Sequence, residues 1–210
     1  MTTGAVAQPI VQPPRLILAS GSKARAAMLE GAGVAVRRDP ADVDEGALKA
    51  TCRAQGATVE ATAETLAEAK ARHVAQRHPG AFVLGADQML ECGGDWFDKP
   101  GDRDGARAQL ARLRGRSHRL VSAAVIVRDG ERLWRHTDAA TLAMRPFSDA
   151  FLAQYLDACG EVVQHSVGAY HLEGLGAQLF DRVDGDFFTI LGLPLLPVLG
   201  FLRDHGILTE

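Results

Sequence analysis

The sequence predicts an α/β fold in which helices cover the faces of a mixed β-sheet. Apolar stretches typical of strands, such as "RLILA" and "AFVLGADQML", alternate along the chain with helical stretches such as "TVEATAETLAEAKARHVAQRH". The segment "HRLVSAAVIVRDGERLWRHTDAATLAM" is typical of antiparallel strands joined at Asp129-Gly130, so the sheet cannot be purely parallel. At 210 residues, 47% of them apolar, the chain is long enough to bury a sizeable core.

Local signals predict the elements of the first half of the chain. The strand "RLILA" precedes a helix over "SKARAAMLEGAG", for which Ser22 is the expected N-cap. The segment "VAVRRDPADVDEG" is expected to be extended and then to form an acidic loop. The long helix that follows stops at Pro79-Gly80, and "AFVLGADQML" is a buried strand with Asp87 at its end.

The second half is predicted in the same way. "DRDGARAQLARLRG" favours a helix before the hairpin, and "SDAFLAQYLDACG" favours a helix capped by Ser148. "VGAYHLEGLGAQLFDRVDGDFF" indicates a glycine-rich loop, a short strand and a turn. The apolar segment from Phe187 to Leu202 is shorter than the roughly 20 residues that span a bilayer, so we expect a buried strand, a turn and a helix there, and no membrane span.

Composition limits the classes of function. Residues 1–14 carry neither a basic cluster nor a long apolar run and are predicted to be a disordered tail, followed by a single domain over 15–210. A formal charge of −3 gives no support to nucleic-acid binding, and the basic stretch "RLRGRSHR" is better explained as a solvated helix end. Three widely spaced cysteines argue against a disulfide framework and favour a reducing compartment, so a cytoplasmic location is expected.

The turn after the first strand has the donors for a phosphate site. Free backbone N–H groups at a helix N-terminus attract anions, Ser20 and Ser22 add hydroxyls, and Arg25 lies one turn into the helix. The alternative is a capped amphipathic helix that binds nothing, since the P-loop pattern G-x-x-x-x-G-K-[ST] is absent.

Two groups of carboxylates are candidates for metal or proton chemistry. Asp87 follows a buried run, and a carboxylate at a strand end can bind a divalent metal or accept a proton from water; a turn aspartate is the alternative. Asp42, Asp44 and Glu45 in "DVDEG" are the type of oxygen ligand that Mg²⁺ takes, although a solvated acidic loop has the same composition.

Two lysines are candidates for contacts with a negatively charged ligand. Lys70 lies on the inner side of the long helix, and Lys99 precedes Pro100, which holds the lysine backbone extended. Each lysine also has an ordinary explanation as a surface residue. Neither an H-E-x-x-H zinc motif nor a G-x-S-x-G nucleophile motif is present, so neither chemistry is predicted.

The order of these motifs is more specific than any single motif. The series "LILASGSKAR", "DVDE", "LAEAKA", "VLGADQ", "DKP", "GRSHRLVSA" and "VGAYHLEGLGAQLFDRVDGDFFTILGLPL" resembles the Maf family of nucleoside triphosphate pyrophosphatases. The resemblance implies a long twisted mixed sheet with two lobes around a deep cleft, similar to the inosine triphosphate pyrophosphatases. It also implies hydrolysis of a nucleoside triphosphate to the monophosphate and pyrophosphate, a divalent cation (Mg²⁺ first, Mn²⁺ as an option), a link to septum formation, and a homodimer as one state of assembly.

The resemblance further implies roles for individual residues. Glu45 would bind the metal, and Asp87 would bind it too and take a proton from the attacking water. The residues implied to face the phosphates are polar or cationic, and they are Ser20, Ser22, Arg25, Lys70 and Lys99. Of these, Lys70 and Lys99 would stabilise the leaving pyrophosphate.

Three positions bear on the base. In this sequence they are Ala24, Gln88 and Glu173. Family members acting on 7-methyl-GTP have Trp, Gln and Glu at these positions, in that order. Members acting on dTTP and UTP have Arg, Thr and Gln. Two matches to the first pattern predict a modified or methylated purine nucleotide such as 7-methyl-GTP. Ala24 matches neither pattern, which leaves a dTTP and UTP pyrophosphatase open. A regulator of cell division that binds a nucleotide without hydrolysing it is the alternative from another class.

Overall fold

The computed structural model describes residues 16–209, and within that range it contains seven strands and seven α-helices. The strands are β1 (Leu16–Leu18), β2 (Val36–Arg38), β3 (Phe82–Cys92), β4 (Asp95–Phe97), β5 (Ser117–Arg128), β6 (Glu131–Met144) and β7 (Phe180–Asp184). The helices are α1 (Lys23–Gly31), α2 (Glu45–Ala54), α3 (Val59–Ala75), α4 (Arg103–Leu113), α5 (Asp149–Cys159), α6 (Phe187–Ile190) and α7 (Leu195–Asp204). Short 3₁₀ turns cover Gly160–His165, Val167–Ala169 and Leu175–Leu179. The predicted tail over 1–14 lies outside the described residues.

All seven strands join one mixed sheet. Its order is β2-β1-β3-β5-β6-β7, and β4 pairs with β3 beside this path. β1 is parallel to β2 and β3, whereas the other pairs are antiparallel. The β5–β6 hairpin turns at Asp129 and Gly130, whose φ angles of 50° and 82° suit a two-residue type I′ turn. The predicted mixed sheet is confirmed.

Three apolar clusters pack on this sheet. Helix α3 covers one face, where Leu66, Val83 and Val121 are fully buried. The other face carries two separate clusters, one with α1 and α7 around Leu84 and one with α4 and α5 around Leu90. These two separate clusters define two lobes, and strands β3 and β5 run through both of them. A cleft lies at the boundary between the lobes.

The predicted end of β3 is wrong. Asp87 lies within the strand, which continues to Cys92. The strand that ends nearby is the parallel neighbour β1, whose pairing stops at Leu18 opposite Leu84. The buried Asp87 therefore borders the cleft because its neighbouring strand ends, while its own strand continues.

Two further local predictions are wrong because aspartates cap helices at those points. Asp44 accepts a hydrogen bond from the backbone N–H of Ala47, so the acidic loop ends there and α2 begins at Glu45. Asp186 accepts from the N–H of Thr189, so the segment that follows is the short helix α6 and not a strand. Within residues 16–209, no helix is long and apolar enough to cross a membrane.

Candidate active site

A cleft of about 960 Å³ opens where β1 ends beside β3. The β1–α1 turn, the first turns of α2, the middle of β3 and the segment around 165–173 contribute to its walls. The ten residues to which the family resemblance assigns roles all line this cleft, and they are Ser20, Ser22, Ala24, Arg25, Glu45, Lys70, Asp87, Gln88, Lys99 and Glu173, whereas the candidates Asp42 and Asp44 do not. The fold therefore brings together residues that are up to 153 positions apart in the sequence, from 20 to 173.

Lys70, Asp87 and Glu45 form a connected charged centre in the cleft. Lys70 is only 8% exposed on the inner side of α3, and its Nζ donates to Asp87 Oδ1 at 2.5 Å and contacts Glu45 Oε1 at 2.8 Å. Burial acts to raise the pKa of Glu45, but the hydrogen bond and charge of Lys70, with the charges of Lys49 and Lys99, lower that pKa below its usual value. Glu45 is consequently a carboxylate at neutral pH.

The second carboxylate oxygen of Asp87 is left without a partner. Asp87 is 5% exposed, and its Oδ2 is buried with no hydrogen bond to any residue in the described range. Leaving a buried polar atom unpaired costs about 1–3 kcal/mol, and more for a charged group. In a native structure such an atom indicates a partner that is a water, an ion or a ligand. Oδ2 can accept a proton or bind a cation in the cleft.

The carboxylates fit a divalent cation that is shared with phosphate groups. Asp87 and Glu45 contact the same nitrogen of Lys70, so they lie close together, and each has a second oxygen outside that contact. The predicted cluster of Asp42, Asp44 and Glu45 is not formed, and among residues 16–209 no three His, Cys, Asp or Glu side chains converge as a metal site. Two carboxylates suit Mg²⁺, which completes its coordination with water and phosphate oxygens.

Arg25 organises the turn between β1 and α1. Ser22 caps α1 by accepting from the N–H of Arg25 at 3.3 Å, and Ser20 Oγ accepts from Arg25 Nη1 at 3.1 Å. Nη1 also donates to the carbonyl of Ala86 at 2.9 Å, and Nε donates to that of Gly192 at 2.7 Å. Burial lowers the pKa of Arg25, while the nearby carboxylates oppose this shift. Nε and Nη1 are bonded to the protein, and among residues 16–209 Nη2 is the guanidinium nitrogen of Arg25 with no hydrogen bond, so it can bind an anion.

The residues predicted to contact the base are less enclosed. Gln88 follows Asp87 on β3 and therefore faces the opposite side of the sheet. The side chain of Glu173 is 41% exposed, and its Oε1 lies 3.3 Å from His171 Nδ1. Ala24 is half-buried in the first turn of α1 and presents neither a ring nor a charge.

Sequence reasoning missed Lys49, which lines the cleft. Its Nζ contacts Asp98 Oδ1 at 2.5 Å. The missing information was the helix α2, which places Glu45 and Lys49 four residues apart on one helix face. The spacing in "EGALK" is the signal that would have identified this lysine.

The solvated-helix interpretation of "RLRGRSHR" is wrong for His118. The side chain is 2% exposed, its Nε2 lies 2.6 Å from Tyr170 Oη, and burial lowers its pKa to about 4. Tyr170 lines the cleft, so this neutral histidine supports the wall behind it. Three arginines of the stretch instead form salt bridges, Arg112 with Asp95, Arg114 with Asp149 and Arg119 with Glu60.

Comparison with known proteins identifies the family. The family model described as "Maf-like protein" matches residues 15–205 of the 210. The chain belongs to the Maf family. This confirms the resemblance seen in the motifs, and the Maf-family match includes every residue placed in the cleft above.

Two curated relatives and one solved structure are similar to this Maf-family chain. A "Nucleoside triphosphate pyrophosphatase" of Paramagnetospirillum magneticum is 62% identical over 90% of this chain and 98% of that protein. A "7-methyl-GTP pyrophosphatase" of Mesorhizobium japonicum is 52% identical over 91% of this chain and 96% of that protein. The crystal structure of a nucleoside-triphosphatase, a dITP/XTP pyrophosphatase of Mycobacterium abscessus, has a TM-score of 0.40 and 17% identity over 91% of this chain and 95% of that one, a likeness too low to support a conclusion.

Proposed function

We propose that this Maf-family chain is a nucleoside triphosphate pyrophosphatase, which hydrolyses a nucleoside triphosphate to the monophosphate and pyrophosphate. The observation that carries the proposal is the unpaired, buried Oδ2 of Asp87 beside Lys70, in a cleft that cations line. The name of the Paramagnetospirillum relative supports the same reaction.

Asp87 is proposed as the proton acceptor for the attacking water. As the water oxygen bonds to the α-phosphorus, its proton passes to Oδ2 of Asp87. The bond between the α-phosphorus and the bridging oxygen breaks at the same centre, and pyrophosphate leaves with the bonding electrons. Lys70, held by Asp87 and Glu45, and the exposed Lys99 place positive charge on the cleft wall, where it stabilises the charge that develops on pyrophosphate.

Ser20, Ser22 and the free Nη2 of Arg25 are proposed to hold the phosphates at the start of α1. Glu45 and Asp87 are proposed to hold the divalent cation, Mg²⁺ first and Mn²⁺ as an option, together with phosphate oxygens. Oδ2 has two lone pairs, so a cation and a water can share it. When bound, the cation neutralises phosphate charge that the lysines do not.

For the base we propose a modified or methylated purine, with 7-methyl-GTP first. The carboxylate of Glu173 lines the cleft, and it can accept a hydrogen bond from the N–H edge of a guanine-type base. The name of the Mesorhizobium relative supports this choice. Ala24 contributes no stacking or charged contact, so dTTP and UTP are the competing substrates.

The test is a substrate panel with two product assays. Purified protein is incubated with Mg²⁺ or Mn²⁺ and with dTTP, UTP, CTP, GTP or 7-methyl-GTP, and both pyrophosphate and single phosphate are measured, with EDTA as the metal control. Pyrophosphate from 7-methyl-GTP in excess of that from dTTP and UTP is the expected result. A preference for pyrimidines would overturn the base assignment alone, whereas release of single phosphate would overturn the reaction.

If the protein is instead a nucleotide-sensing regulator, it should bind a nucleotide of this panel and release neither pyrophosphate nor phosphate. The cytoplasmic location, the homodimer and the lack of a nucleic-acid partner stay predictions.

A further inference from the structure

Three polar side chains form a row across the central strands of the sheet. Gln88 on β3 is directly opposite Ser122 on β5, and Ser122 is directly opposite Asp138 on β6. Opposed residues share a face of the sheet, so the row lies between the two apolar clusters of that face, around Leu84 and Leu90. A polar row at such a boundary lowers stability unless every group in it is paired.

Helix α6 completes the hydrogen bonding of this row. Gln88 Nε2 donates to the carbonyl of Ile190 at 2.9 Å and lies 3.1 Å from both the Thr189 carbonyl and Ser122 Oγ. Ser122 Oγ donates to the Thr189 carbonyl at 2.7 Å, and Thr189 Oγ1 donates to Asp138 Oδ2 at 2.9 Å. The amide nitrogen of Gln88 and both hydroxyls therefore have acceptors, so every donor of this network is paired.

This network fixes which end of the Gln88 amide faces the cleft. Backbone carbonyls cannot donate, so only the NH₂ group can face Thr189 and Ile190, and a reversed amide would set oxygen against oxygen. Among residues 16–209, no group donates a hydrogen bond to Gln88 Oε1, and Gln88 lines the cleft. Gly192, whose φ of 102° favours glycine, lies beside Oε1.

We propose that Ser122 and Thr189 are positioning residues for base recognition, which hold Gln88 as a hydrogen-bond acceptor so that the cleft selects nucleobases presenting N–H groups. The inference rests on the proposed function, because it assumes that a nucleotide base occupies this cleft. With the carboxylate of Glu173, Gln88 Oε1 provides two acceptors, which match the N1–H and 2-amino edge of a guanine-type base. A base that presents a carbonyl at the 2-position, or none of these donors, leaves an acceptor unpaired.

The 2-amino group can be removed from the substrate without other change, which makes the test direct. We would measure kcat/KM for pyrophosphate release from GTP and from ITP, which lacks that amino group, and take the ratio of the two. We expect the wild type to favour GTP by about tenfold, since one acceptor is left unpaired with ITP. Ser122→Ala removes one partner of the Gln88 amide, and Thr189→Val keeps the carbonyl that Gln88 contacts but removes the hydrogen bond that anchors α6 to Asp138. In both variants the ratio should fall about fivefold through KM, and Ser122→Thr and Thr189→Ser should restore it.

Ser117→Ala is the matched control, because Ser117 is an exposed serine on the same strand. It should leave the ratio unchanged. Loss of general stability lowers the rate with both nucleotides and does not move the ratio, so a folding defect is distinguished from a positioning role. Thermal melting of each variant records such a defect.

Dissociation constants for the non-hydrolysable α,β-methylene analogues of GTP and ITP provide a readout independent of turnover. One outcome separates the two proposals: no nucleotide is hydrolysed, but the wild type binds the GTP analogue more tightly than the ITP analogue and Ser122→Ala loses this preference. In that case the proposed function fails and the inference stands. An equal affinity of the wild type for both analogues, or an unchanged ratio in both Ser122→Ala and Thr189→Val, would overturn the inference.

Discussion

Asp87 and Gln88 are neighbours on β3, but their hydrogen bonding is opposite in character. Asp87 faces the α3 side with one oxygen on Lys70 and the other buried and unpaired. Gln88 faces the side of the two apolar clusters, and its amide nitrogen has three acceptors within 3.1 Å. The reactive side of the strand offers a carboxylate oxygen that can take a proton or a cation, whereas on the recognition side the paired amide nitrogen holds the Gln88 amide in one orientation.

Apart from changes to Asp87 itself, the largest expected effect comes from removing the cation of the reactive side. Lys70→Met leaves the buried Asp87 carboxylate unpaired and removes a charge that faces the triphosphate, so pyrophosphate release should fall at least about hundredfold. Lys49→Met is the matched control, since Lys49 lines the same cleft but pairs with the exposed Asp98, and it should cost only several-fold. Steady-state rates of the two variants check this, and equal losses would contradict the special position of Lys70.

A second prediction concerns the wall behind Tyr170. The folded protein holds His118 with a pKa of about 4, and the unfolded chain has about 6.5 for histidine. Between these values the unfolded state binds more protons, so the free energy of unfolding rises with pH from 4 to 6.5 and falls as the pH drops. The contribution of His118 is about 3 kcal/mol across that window.

Urea unfolding at several pH values tests this contribution. His118→Gln should flatten the rise between pH 4 and 6.5, while Ser117→Ala, an exposed non-titrating position on the same strand, should leave it unchanged. The same pH dependence in wild type and His118→Gln would show that this histidine is not held neutral.

A smaller effect is expected at Glu45, on the edge of the reactive side. Glu45→Gln keeps the size of the side chain but removes one carboxylate of the proposed cation site, so the Mg²⁺ concentration for half-maximal rate should rise about tenfold. At saturating Mg²⁺ most of the rate should return. A Mg²⁺ titration that superimposes on that of the wild type would remove Glu45 from the cation site.

The sequence predicted the elements that have strong local signals. Turns, caps and helical spacing are encoded within a few residues, so they can be predicted locally. Examples are the Asp129-Gly130 turn, the Ser22 and Ser148 caps and the inner position of Lys70. Ten residues of the cleft were predicted as a set through the family resemblance, and the fold brings them together.

What the sequence did not reveal depends on contacts between distant segments. Ser122 sits in the apolar run "LVSAAVIV", and its role depends on the register that sets it opposite Gln88 and Asp138. The exposure of Asp87 to the cleft depends on where β1 stops, which no signal near Asp87 records. His118 was interpreted together with the neighbouring arginines. Its burial depends on a contact with Tyr170, which is 52 residues away in the sequence, so no local signal shows it.

The most direct test of the central claim compares rate and binding in Asp87→Asn. The substitution keeps the shape of the side chain but makes it a poor proton acceptor, so pyrophosphate release from the preferred nucleotide should fall by about 10²–10⁴-fold. The dissociation constant of that nucleotide should stay within a few-fold of wild type, and Asp181→Asn, an exposed aspartate on β7, should change neither. Turnover by Asp87→Asn at the wild-type rate would contradict the account, because the unpaired oxygen of Asp87 would then have no part in the reaction.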